Sequence, residues 1–107
     1  MKTNRKSPVI NFEKLGGRVY VGRPDGVLAR KYFKIDEYEQ EKNFPVEIFF
    51  PDNARTLTSS FFLGMFGNSV RTAGSKEGFL TRFKFTANSQ IMAEVDAGIS
   101  EALSARK

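Results

Sequence analysis

This sequence predicts an α/β fold: a mixed four-stranded sheet in the order β-β-α-β-α-β-α, opened by an N-terminal hairpin. Three observations predict it. Apolar residues alternate at VEIFF (46–50) and in FLTRFKFTA (79–87), as on strands with one face turned inward. Apolar residues recur three and four apart at 62–70 and 91–103, as on helices with one buried stripe. The two patterns alternate along the chain, which argues for a mostly parallel sheet with right-handed crossovers plus one antiparallel hairpin strand.

The elements follow in order. VINF (9–12) is short and β-like, EKLGG (13–17) carries a glycine pair suited to a turn, and RVYVG (18–22) alternates Val19 and Val21 against Tyr20. Together they read as the hairpin. RPDGVLARKYF (23–33) starts a helix: Pro24 fits its first turn, and Asp25 can accept from its free amides. Val27, Leu28, Lys31, Tyr32 and Ile35 recur at helical spacing along it. IDEYEQEKNF (35–44) reads as a helical turn and connector that ends before Pro45.

In VEIFF, Val46, Ile48 and Phe50 share one face and Glu47 and Phe49 the other. Pro51, Asp52 and Asn53 stop that strand. Phe62, Phe66 and Val70, with Met65 and Ser69 beside them, mark a helix from about 59 to 71. Gly64 and Gly67 each weaken it by roughly 1 kcal/mol against Ala, which a close approach to a neighbour would explain. Gly74 stops it, and GSKEG (74–78) reads as a turn. In FLTRFKFTA, Phe83 and Phe85 alternate with Arg82, Lys84 and Thr86. Asn88 or Ser89 caps a last helix whose stripe is Ile91, Val95, Ile99 and Leu103.

Composition narrows the function. The 107 residues suit one domain, read as 8–107 behind a basic flexible tail at 1–7 that holds Lys2, Arg5 and Lys6. There is no His and no Cys. That removes His- and Cys-based catalytic machines and the commonest metal ligands, so neither an enzyme, nor a metal, nor a cofactor is expected. No Walker-type glycine loop or dinucleotide G-x-G-x-x-G is present. The opening MKTNRKSPVI lacks an apolar signal core and no run is long enough for a membrane helix, so a cytoplasmic location is expected. The net charge of +5 permits weak nucleic-acid contact. A small basic nucleic-acid-binding protein is therefore the alternative function, although no basic stripe interleaves with aromatics.

YVGRPDGVLARKYFKID, VEIFFPDN and TLTSSFFLGMFGNSVRTAG together resemble the bacterial and phage STAS-like domains of unknown function, from about residue 17 to the C-terminus. Those chains tend to show a GR-x-x-G element before a helix, a hydrophobic strand ending in an acidic residue, and a Ser-Ser-Phe helix. More distantly, the layout is similar to STAS domains such as anti-sigma-factor antagonists. There a D-S-S-G-like segment opens the helix after a central strand, and a partner kinase phosphorylates a serine in it. Ser60 matches that phosphoacceptor and Ser59 the serine before it, while Thr58 replaces the acidic residue and Phe61 the glycine. The resemblance implies a non-catalytic regulatory or interaction module, with a kinase-like ATPase or another regulator as its protein partner. Homo-oligomers are compatible with it.

The candidate switch residues are therefore Ser59 and Ser60, and the candidate partner-binding residues are Arg23, Asp52, Asn53, Arg55, Thr58 and Phe61. A phosphate at a helix N-terminus meets free amides and the positive end of the dipole, and Arg55 could add a charge-assisted bond. The plainer reading makes the serines a helix cap, contributing roughly 1 kcal/mol. Arg23, Asp25 and Gly26 equally suit ordinary turn chemistry. Phe49 and Phe61 mark a contact patch if exposed, and core if the sheet is covered on both faces.

Overall fold

The computed structural model describes residues 7–104. Apart from Ser7, the segment read as a basic tail lies outside them. The chain forms β1 (Val9–Asn11), a 3-10 turn (Phe12–Leu15), β2 (Val19–Tyr20), α1 (Arg23–Tyr32), α2 (Ile35–Gln40) and β3 (Val46–Phe49). It continues with β4 (Thr56–Leu57), α3 (Ser59–Ala73), α4 (Lys76–Arg82), β5 (Phe83–Thr86) and α5 (Ser89–Ser104). Among the described residues no helix is long and apolar enough to cross a membrane.

The α/β class holds, but the single mixed sheet does not. β1, β3 and β5 form one sheet with β3 in the middle, and both of its pairings are parallel. β2 and β4 form a second, two-stranded parallel sheet. The expected hairpin is absent because β1 and β2 belong to different sheets. The chain between them is no tight turn. The Asn11 side chain accepts from the Glu13 amide at 3.0 Å and starts the 3-10 turn, which buries Phe12 completely. Gly16 and Gly17 then take φ values of 76° and 75°, a region open to glycine. They redirect the strand toward β4 instead of back onto β1.

β3 alternates as expected, with Val46 and Ile48 buried and Glu47 and Phe49 half-buried. Two aromatic clusters fill the core. Phe12 stacks on Phe50 at 4.0 Å, with Tyr20 and Phe61 against them. Phe62, Phe66, Phe79 and Phe83 form the second cluster, with centroids 5.1–6.2 Å apart along its contacts. Burying each such ring stabilises the fold by roughly 1.5–3 kcal/mol. Adjacent residues of α3, Phe61 and Phe62, thus enter different clusters.

α3 is the central helix, and its stripe of Phe62, Met65, Phe66, Ser69 and Val70 is buried as spaced. It packs against α1 on one side and α5 on the other. On α1 the expected apolar stripe is not the buried one. Gly26, Ala29 and the following Phe33 face inward, while Val27, Leu28 and Tyr32 are exposed. The close crossing with α3 requires small residues, so the larger apolar ones are turned out. Ile35 is buried, but it belongs to α2, which starts after Lys34 turns left-handed at φ 60°.

Arg30 ties three helices together. Its Nη1 donates to the Met65 carbonyl at 2.6 Å and to Ser69 Oγ at 3.0 Å on α3. Its Nε donates to Asp36 Oδ1 at 2.9 Å and its Nη2 to Glu39 Oε1 at 2.8 Å on α2. Asp36 is largely exposed and adds little. The partly buried bonds to Glu39, Met65 and Ser69 matter more, because removing the guanidinium would leave the Glu39 carboxylate without its cation.

The segment read as one strand over 79–87 divides in two. The Ser75 hydroxyl accepts from the Gly78 amide at 3.0 Å and caps α4, so the turn expected over GSKEG shrinks to Gly74 and Ser75, and Lys76–Gly78 are already helix. Only Phe83–Thr86 is strand. In all, five α-helices stand among the described residues where three main helices were expected.

Candidate functional site: the start of α3 and the cleft between β2 and α1

Of the expected site residues, Asp52, Asn53 and Arg55 lie in the loop between β3 and β4, which bonds from Asn88 and Gln90 and to Arg18 fasten. The Asn88 side chain donates to the carbonyls of Asp52 at 3.0 Å and Ala54 at 2.9 Å, while its oxygen accepts from the Ile91 amide and caps α5. The Arg55 amide donates to the Arg18 carbonyl at 2.8 Å, and the Arg55 carbonyl accepts from Gln90. Asp52, Asn53 and Arg55 keep their side chains exposed.

Thr58 is the cap of α3. Its Oγ1 accepts from the Phe61 amide at 3.2 Å and from the Gly22 amide at 3.4 Å. Its own amide donates to the Tyr20 carbonyl at 3.0 Å. Ser59 and Ser60 therefore occupy the first turn itself, with Ser59 half-buried and Ser60 exposed. This corrects the reading of the serines as caps. The Thr58–Gly22 bond also brings exposed Arg23, at the start of α1, next to the start of α3. Phe61 is only 3% exposed and packs on Phe12 and Tyr20. As a partner-binding residue it is corrected to core: its ring can reach a ligand only through the cavity that it floors.

That cavity was not anticipated from the sequence. It has a volume of about 340 Å³ and lies between β2 and α1. Buried Tyr20, Ala29 and Phe61 form its floor. Leu15, Val19, Val21, Leu28 and Tyr32 ring it, each between 37% and 62% exposed. Asp25 is the acidic group on its wall. The Tyr20 hydroxyl donates to the Gly17 carbonyl at 3.3 Å. Burial, then the negative charge of Glu13, raises the Tyr20 phenol above its ordinary range.

One signal in the sequence pointed here. RPDGVLARKYF has more apolar positions than one helical face can hold, because Gly26, Ala29 and Phe33 make one stripe and Leu28 and Tyr32 another. Among the described residues, no group of three or more His, Cys, Asp or Glu side chains could hold a metal ion. The chain matches no family model, and no curated protein or solved structure matches it.

Proposed function

We propose that this chain is a non-catalytic regulatory module of the STAS-like kind that docks a partner protein through the cleft between β2 and α1. One observation carries the proposal. The large apolar side chains exposed among the described residues all fall between Val9 and Tyr32, and five of them ring a single cavity. Contiguous exposed apolar surface of this kind marks contact sites. In this reading the cleft, and not the loop that carries Asp52, Asn53 and Arg55, is the main docking face.

A phosphorylation switch at Ser60 fits beside this reading. Ser60 is exposed on the first turn of α3, one residue from the Phe61 ring in the cavity floor. A phosphate there would meet the helix N-terminus. Charge-driven nucleic-acid binding is separated by Leu28→Ser, which leaves every charge in place and should weaken only a partner seated in the cavity.

Site-specific photo-crosslinking in the host tests the docking face. A crosslinker replacing Leu28 should trap a partner, and the adduct should vanish when Tyr32→Asp is added. A crosslinker replacing Lys84, exposed on β5, should not trap it. Equal trapping from both positions, or none from position 28, would sink the proposal.

A further inference from the structure

The cleft runs along an open strand edge. β2 pairs with β4 alone among the described strands. It does so through the carbonyls of Arg18 and Tyr20, which accept from the amides of Arg55 and Thr58. Backbone groups of successive strand residues point to opposite sides, so the N–H and C=O of Val19 point away from β4. Side chains also alternate between faces. A cavity lined by three consecutive residues, Val19, Tyr20 and Val21, therefore lies along the strand edge and not over one face. Its far wall is helix α1. A groove between a free strand edge and a helix is the geometry in which an extended peptide joins a sheet as a further strand.

The charges around the groove select the occupant. Exposed Lys14, Arg18 and Lys31 each precede in sequence a residue that lines it, Leu15, Val19 and Tyr32, and exposed Arg23 follows Val21 by two, against Asp25 on its wall and exposed Glu13. Arg30 is turned inward and answered by Asp36 and Glu39. A neighbouring hollow shares Tyr32 and carries Lys14 and Lys34. The excess is cationic. A second copy would set this rim against itself, and the chain's own first residues add Lys2, Arg5 and Lys6 of the same sign.

We infer that the occupant is an extended, acidic segment of another protein, which pairs its backbone with the Val19 edge and seats one leucine- or phenylalanine-sized side chain in the cavity. This rests on the cleft being a docking surface, and it names the class of ligand.

The test is an NMR titration of the isotope-labelled full chain with a synthetic peptide of sequence Asp-Glu-Val-Thr-Leu-Thr-Glu-Asp. A second peptide replaces every acidic residue with Lys. The acidic peptide should slow exchange of the Val19 amide and shift the Leu28 methyls, and it should bind roughly tenfold or more tightly than the basic one. Val19→Pro, which removes an amide outside the β2–β4 ladder, should abolish binding while leaving the rest of the spectrum in place. Leu28→Asp, at a side chain 62% exposed, should do the same.

Methyl shifts at Leu28 without protection of the Val19 amide would overturn strand addition and leave docking intact. Equal binding of the two peptides would overturn the acidic class. Protection of Val19 that grows with protein concentration in the absence of peptide would make a second copy the occupant. No shift with either peptide would reject the inference, while crosslinking from position 28 would still judge docking separately.

Discussion

Gly26 on α1 and Gly64 on α3 lie back to back where the two helices cross. A Cβ on Gly26 would run into the Phe61 carbonyl and the Met65 amide, and one on Gly64 into the Arg23 carbonyl and the Val27 amide. Each glycine is thus roofed by the backbone that flanks the other.

Gly26→Ala and Gly64→Ala should each destabilise the protein by about 1–3 kcal/mol, because backbone cannot step aside as a side chain can. That loss outweighs the gain of about 1 kcal/mol in helix propensity. Gly67→Ala should have the opposite sign. Its new methyl would meet the guanidinium end of Arg71 at 3.3 Å, and that group can swing away. Urea denaturation of the three variants checks this, and equal effects at all three positions would contradict it.

Thr58→Ala should cost about 1–2 kcal/mol, since it removes the α3 cap and the acceptor for the Gly22 amide. Ser60→Ala should change stability by less than about 0.5 kcal/mol, as an exposed residue outside the cap does. Thermal melts of the two variants decide the matter. A larger loss at Ser60 would restore the serines as structural caps.

Tyr20 should make stability fall in alkali. The folded chain holds its phenolic proton more tightly than the unfolded chain does, through burial and then the charge of Glu13. That contribution is complete below the unfolded value of about 10 and is lost as pH rises through the folded value. Tyr20→Phe lacks it. The denaturation midpoint of wild type should fall faster than that of the variant as pH climbs above about 10. Parallel declines would remove Tyr20 as the cause.

The sequence showed most clearly those elements whose burial follows a single period. Ile91, Val95 and Ile99 are all buried, and so are Phe62, Phe66 and Val70. α4 was hidden because Phe79 and Phe83 are four apart, a helical spacing, while Phe83 and Phe85 alternate as on a strand. The two periods overlap at Phe83, and the Ser75 that caps α4 sits between glycines that equally suit a turn. On α1 the largest apolar residues suggested the wrong inner face, because the true contact is backbone against backbone. The switch of β2 into a separate sheet depends on long-range pairing with Thr56 and Leu57, which no local pattern encodes. The cleft follows from both of those displacements. Its residues were legible one by one, and their convergence was not.

The parallel ladders also set a schedule for synthesis. Val9 pairs with Glu47, Val19 with Thr56 and Val46 with Phe83, at nearly the same spacing along the chain. Among the described strands none pairs with its neighbour in sequence, so β1 and β2 each wait for a partner made much later. A chain emerging from the ribosome carries Ile10 and Tyr20 without partners until α1 and α2 have followed them. Helices come first by necessity, and the β2 edge is among the parts that the nascent chain leaves open longest.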